Sequence, residues 1–226
     1  MTQPSRAPGA GRRVTATPAR TPSRGRARAA EGRPRRGTPQ GTRERLIAAA
    51  AEVLNRDGYF GTDSNAIARA SGYSPATFYK HFVDKRAILL AAYEGWVATE
   101  WQYIGDAVRP TASPADARQR ARQLTAWILA HHRRWRGLRA SVLGLLGADP
   151  VVRDFYVARR RDQLELLHQL RGARRPRRGQ READAVLLFT FERTCDAIAG
   201  GEAEALELDT AALEAHLVEL LAAHLG

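Results

Sequence analysis

From Thr42 to the end of the chain, apolar residues recur at spacings of three and four, and no stretch alternates apolar with polar residues over the length of a strand. A period near 3.6 buries one stripe of a helix, whereas a period of 2 buries one face of a strand. The chain is therefore confined to an all-α fold, read here as about nine helices. Residues 42–57 place Leu46, Ile47, Ala50, Val53 and Leu54 on one stripe, with Thr42 as cap and Gly58 as the terminating residue. A shorter helix spans 63–71, with Thr62 or Asp63 as its cap. A third spans 75–81, with Ser74 as cap and Pro75 at the first helical position. A fourth runs from about 84 to 105. Beyond a proline-marked break at 109–114, helices are predicted over 113–135, 137–146, 150–170, 181–200 and 209–225, with a basic loop at 171–178.

Charge is distributed unevenly along this pattern. The formal net charge is +12, yet residues 1–40 hold ten arginines and one acid, Glu31, with Val14 their only large aliphatic after Met1. Such a segment cannot bury enough apolar surface to offset its ordering entropy, so a disordered basic tail is expected. It serves either as an arm adding phosphate contacts or as an inert solvated extension. No apolar run approaches the ~20 residues of a membrane-spanning helix. No apolar stretch of the secretory type follows the N-terminal arginines. Cys195 is the single cysteine, which excludes an internal disulfide framework. These features lead to the expectation of a cytoplasmic protein with no membrane partner.

The densest information lies in residues 62–85, TDSNAIARASGYSPATFYKHFVDK. Two short helices joined by a glycine-containing turn form a helix-turn-helix. Ala68 is small where the helices cross, Gly72 sits at the turn, and Ile67 and Phe78 lock the pair. The second helix then offers Pro75, Ala76, Thr77, Tyr79 and Lys80 to a major groove, where donors, acceptors and methyl groups read base edges. Thr62, Ser64, His81 and Lys85 flank it with groups suited to phosphate oxygens.

Residues 43–90 resemble the N-terminal DNA-binding domain of the TetR family of bacterial transcriptional regulators. The resemblance rests on RERLIAAAAEVLNRDGYFGT and on AIARASGYSPATFYKHFVDKRAIL, above all on the run Phe78, Tyr79, His81, Phe82 and Lys85. It implies base contacts from Thr77 and Tyr79, with Pro75 and Ala76 at the variable positions beside them. It further implies phosphate contacts from His81 and Lys85, and contacts from Thr62, Ser64 and Asn65 on the preceding helix. Two positions depart from the pattern. Asp63 stands where Ser or Thr is common and reads as a helix cap facing its own backbone. Tyr73 replaces the usual Val or Ile after the turn glycine.

The chain thus divides into the tail 1–40, a DNA-binding domain over 41–88 and a larger helical body over 89–226. The resemblance implies that this body binds a small-molecule effector and forms a homodimer, the twofold symmetry matching a palindromic operator. Aromatic and polar residues at helical spacing are candidates to line an effector cavity: Trp101, Trp127, His131, Phe155, Phe189 and Glu192. The alternative is that they simply fill a helical core. The last two helices carry Val186, Leu187, Phe189, Thr190 and Cys195, then Leu213, Leu217, Leu220, Leu221 and Leu225. This apolar content suits either a two-chain four-helix bundle or an ordinary monomer core.

No enzyme is expected. The six histidines form no H-E-x-x-H pair, and adjacent His131 and His132 must face different sides of a helix. Cys195 reads as a packed small hydrophobe, and no glycine-rich loop follows a strand. Neither cofactor nor metal is implied. The competing reading is an architectural protein that binds DNA through its basic tail without sequence choice.

Overall fold

The computed structural model describes residues 37–107, 113–170 and 178–225. Residues 1–36 of the expected tail, most of the proline-marked break and nearly all of the basic stretch at 171–178 lie outside the described residues. Ten helices and no strand are found among those described: α1 (Pro39–Asp57), α2 (Ser64–Ala70), α3 (Pro75–His81), α4 (Lys85–Ala107), α5 (Pro114–Arg134), α6 (Arg136–Leu143), α7 (Pro150–Leu170), α8 (Gln180–Gly200), α9 (Glu202–Ala205) and α10 (Thr210–Leu225).

Two boundaries correct the sequence reading. Helix α1 starts at Pro39, inside the segment assigned to the tail, because Thr38 and not Thr42 is its cap. The Thr38 hydroxyl accepts from the Gly41 amide at 3.2 Å, Pro39 fills the first turn, and Thr42 is buried. The second is α9, a single turn between α8 and α10. Gly201, at φ +81°, ends α8 in the left-handed conformation, and four residues are too few to show a helical period.

One continuous core joins the helix-turn-helix to the body behind it. Leu46, Ala50 and Leu54 of α1, Ile67 of α2, Phe78 of α3 and Ile88, Leu89, Tyr93 and Trp96 of α4 pack with Leu138 and Val142 of α6. A second cluster unites Ile128 and Leu129 of α5 with Phe191, Cys195 and Ile198 of α8, Ala203 of α9 and Leu217 of α10. Leu217 is only 3% exposed, so it is interior to one chain and not part of an outward face. Cys195 is fully buried in this cluster, and burial pushes its thiol pKa up. The large apolar residues of α8 and α10 that do face out are Val186, Phe189 and Leu220.

The contact between α1 and α6 is polar and close. Helix α6 receives no side-chain cap from its own flanking residue, Trp135. Asn55, at the end of α1, supplies it: Oδ1 accepts from the Gly137 and Leu138 amides at 3.0 and 3.2 Å, and Nδ2 donates to the Arg134 carbonyl at 2.9 Å. Ser141 adds a second tie, donating to the Gly137 carbonyl and accepting from the Tyr59 amide at 3.0 Å. The approach is so tight that a β-carbon on Gly137 would lie 2.0 Å from the Asn55 carbonyl oxygen. Gly137→Ala should therefore destabilise the protein by about 1–3 kcal/mol, the usual cost of forcing an atom into a packed contact. The check is a lowered urea midpoint with an unchanged slope; an unchanged midpoint would mean that α1 and α6 separate freely.

Candidate nucleic-acid interface

Helix α2 is short because its two ends are fixed by local chemistry. Asp63 caps it, Oδ1 accepting from the Ala66 amide at 2.7 Å, as expected of an acid facing its own backbone. At the other end Gly72 takes φ +77°, a conformation that favours glycine, and the Tyr73 amide donates to the Ala68 carbonyl at 2.9 Å. Ala68 is fully buried at the crossing. Tyr73 is accommodated at the edge of the core, half-buried, with its hydroxyl accepting from Arg45 of α1 at 3.5 Å. The usual branched residue there would make no such polar tie.

Helix α3 presents its side chains in two sets. Phe78 and the following Phe82 are buried, with their rings 5.9 Å apart, and fix the helix to the core. Pro75, Ala76, Tyr79 and Lys80 are exposed, Tyr79 by 56%. Thr77 and His81 are half-buried between the two sets. The Ser74 hydroxyl caps the helix by accepting from the Thr77 amide at 3.2 Å, and it also bonds to the Thr77 hydroxyl at 3.1 Å. On α2, Asn65 is exposed and Ser64 half-buried. The structure therefore brings Asn65, Pro75, Ala76, Tyr79 and Lys80 to the surface of one helix pair.

Two of the expected contact residues are placed otherwise. Thr62 is half-buried, and its hydroxyl oxygen is enclosed without a hydrogen-bond partner. Lys85 does not extend outward: Nζ donates to the Tyr59 and Thr62 carbonyls at 2.5 and 2.7 Å and lies 4.1 Å from the centre of the Tyr59 ring. Two of its three N–H donors are thus engaged within the protein. Sequence reasoning passed over Asn55 and Arg45. The pairing of Arg45 with Tyr73, 28 positions apart, has no local signature.

The six candidate effector residues do not gather around one cavity. Trp127 and His131 do meet, in a stacked column running Tyr103, Trp127, His131, Trp96 and Tyr93, with successive ring centres 4.1, 4.8, 5.1 and 5.3 Å apart. Trp101 is buried between α4 and α7 beside Arg159 and Gln163, along a shallow groove. Phe155 packs edge-on against Tyr93 at 6.5 Å. Phe189 is 52% exposed on α8 and belongs to the outside.

Glu192 lies in a buried ionic network. It accepts from Arg139 at 2.8 Å and from Arg160, while Arg139 Nε donates to Asp196 at 2.5 Å and Nη1 to the Tyr93 hydroxyl at 3.2 Å. His132 joins this set, bonded to Asp196 at 3.0 Å and to Glu100 at 3.2 Å. With His132 protonated, three cations face three carboxylates. The adjacent histidines both touch the Trp96 ring but differ in their partners. Burial lowers the His131 pKa despite the nearby Glu100 charge. Burial acts the same way on His132, but the bonds to Asp196 and Glu100 outweigh it and push the pKa up to about 9. Trp96 Nε1, Glu100 Oε2, Trp101 Nε1 and Thr125 Oγ1 are buried without a hydrogen-bond partner.

Comparison with known proteins agrees with this geometry. Residues 46–92 match the family model described as bacterial regulatory proteins, tetR family. Over 52 residues the chain is 36% identical to the HTH-type transcriptional regulator UidR of Escherichia coli K12, covering 23% of this chain and 26% of UidR. The match thus spans only about a quarter of that relative's length. A tetR-family transcriptional regulator from Streptomyces coelicolor superimposes with a TM-score of 0.62 at 16% identity, over 80% of this chain and 78% of its own. The transcriptional regulator FadR from Bacillus subtilis, solved in complex with stearoyl-CoA, does so with a TM-score of 0.58 at 18% identity, over 79% and 97%. At these identities the superpositions show a shared fold. Among the described residues no helix is long and apolar enough to cross a membrane.

The ionic network makes stability depend on pH with a defined sign. A histidine whose folded pKa is raised from 6.5 to about 9 stabilises fully below pH 6.5, and that contribution disappears as pH rises through 9. At 1.36 kcal/mol per unit, the loss is on the order of 3 kcal/mol. Urea midpoints should fall between pH 6.5 and 9.5 in the wild type and stay flatter in His132→Asn. Equal slopes for the two proteins would remove His132 from this role.

Proposed function

We propose, from the match of residues 46–92 to the tetR family model, that the protein is a homodimeric, sequence-specific transcriptional repressor, released from a palindromic operator by a small molecule. The observation that supports this most is the two-sided character of α3. Phe78 and Phe82 anchor it, while Pro75, Ala76, Tyr79 and Lys80 are presented outward at the spacing of one helix face. A helix fixed on one side and polar on the other is what a major groove accepts. Asn65, Ser64, Thr77 and His81 extend the contact surface, with His81 directed to phosphate. The protein works where its operator is, in the cytoplasm.

The dimer reading draws on Val186, Phe189 and Leu220, the large apolar side chains that α8 and α10 leave exposed. The effector reading draws on Trp127 and His131, stacked together against Trp96, and on Trp101, which lines the groove between α4 and α7. A ligand that favours one arrangement of α4 over another shifts the population between operator-matching and non-matching dimers, by no more than its differential affinity for the two. FadR of Bacillus subtilis, of similar fold, was solved in complex with stearoyl-CoA.

The test is selection of bound fragments from the source genome, followed by competition with random DNA at fixed salt. An operator binder should prefer its site by ~10³–10⁷-fold, and equal affinity for random DNA would favour the architectural alternative. Tyr79→Phe should narrow that preference, by about 1–3 kcal/mol if a base contact is lost. Phe189→Asp should leave the helix content intact while converting dimer to monomer in sedimentation and weakening operator binding. A fully dimeric Phe189→Asp protein would place the interface elsewhere.

A further inference from the structure

Arg45 lies exposed on the second turn of α1, and its Nη1 donates to the Tyr73 hydroxyl at 3.5 Å. Among the described residues no carboxylate pairs with this guanidinium. Arg56 and Arg134, also exposed, each meet one, at 2.7 and 2.5 Å. A guanidinium has five N–H donors and keeps its proton, so one bond to a neutral oxygen leaves the charge of Arg45 unmatched. Tyr73 determines where that charge stands. Its ring packs at the edge of the core, directly before Ser74, the cap of α3, and the exposed Pro75 and Ala76. A bond from Thr42 of α1, aided by Arg45, holds the Tyr73 pKa below its usual value against the opposing effect of burial. The valine or isoleucine usual at this position has no atom that could hold a guanidinium.

We propose that Arg45 and Tyr73 form a contact site for one backbone phosphate of duplex DNA, with Arg45 as the contacting group and Tyr73 as the residue that positions it. This rests on the DNA-binding reading of α3. A recognition helix offers its N-terminal residues to the base edges, so the residue just before that end stands at the rim of the groove, where the sugar-phosphate chain runs. Tyr73 occupies this place, and it brings Arg45 there from a helix outside the helix-turn-helix. Arginine suits the task because its planar fork can give two parallel N–H bonds to two phosphate oxygens. A long side chain that is already held loses less freedom on making the contact. Every sequence presents its phosphates alike, so the site adds affinity and fixes register without choosing bases.

The test measures full-length wild type and Arg45→Met on the selected operator and on a random duplex of equal length, across a series of salt concentrations. Affinity should fall about three- to tenfold on both duplexes, and the slope of log K against log salt should become shallower by roughly one unit. Arg45→Lys keeps the charge without the fork, and should restore the slope while recovering only part of the affinity. Tyr73→Phe keeps the ring and removes the hydroxyl. It should leave the slope in place, weaken both duplexes about two- to threefold, and have no effect once residue 45 is methionine. An unchanged slope in Arg45→Met, or a loss confined to the operator, overturns the phosphate contact. A Tyr73→Phe loss of equal size in both backgrounds overturns the positioning role. Circular dichroism verifies equal helix content, and Arg45→Gln takes the place of Arg45→Met, with the same expectations, if the latter does not fold. If the wild type prefers no duplex while Arg45→Met still lowers the slope, the regulator reading fails and the phosphate site stands; a wild type that binds no DNA overturns both.

Discussion

A guanidinium buried at Arg139 dictates much of how the helical body is arranged. Arginine cannot shed its proton to escape a low-dielectric interior, so its charge must be met by partners brought to it. Tyr93 comes from α4, Glu192 and Asp196 from α8, and the Trp96 ring lies 5.2 Å from the guanidinium carbon. Glu192 then draws in Arg160 from α7, and Asp196 draws in His132 from α5. Five helices are thereby tied to one charge. Such a set adds little net stability over an apolar core of the same volume, but removing one member leaves an uncompensated charge, at about 3–5 kcal/mol. The network therefore constrains which packings of these helices are admissible more than it strengthens any of them.

Around that constraint, α4 is the element shared by both ends of the molecule. Its first half packs with α1, α2 and α3 through Ile88, Leu89 and Ala92, and its second half carries Trp96, Glu100 and Trp101 into the body. The stacked column inserts Trp127 and His131 of α5 between Tyr103 and Trp96 of α4, which holds the two helices side by side. Burial in the first half is apolar and in the second half is aromatic and ionic, so the two ends answer to different solvent and charge conditions.

How far this was legible in the sequence depends on whether the cause was local. Helix α3 was read to the residue, because Ser74, Pro75 and the Phe78/Phe82 pair act within one turn. Asp63 as a cap was equally readable from its own neighbourhood. Thr42 misled because it, too, precedes an apolar stripe; only the actual bond from Gly41 to Thr38 distinguishes the two threonines. The internal partners of Lys85 could not be read, since they are carbonyls, which every residue possesses and no sequence advertises. Glu192, picked as a ligand contact, is an ion-pair partner of arginines 53 and 32 positions away. Asn55 was invisible because a cap supplied by another helix leaves no mark beside the helix it caps.

The position of Leu138 and Val142 has a bearing on protein engineering. Both are buried in the same cluster as Leu46, Leu54 and Ile88, and the helix that carries them is capped by Asn55. A helix-turn-helix unit cut from this chain after the first turns of α4 would lose two of its own interior side chains and expose the surface they cover. Chimeric regulators made by exchanging the N-terminal segment alone would inherit a mismatched seam. The exchangeable piece is discontinuous in sequence: residues 38–97 together with 136–146, grafted as a pair.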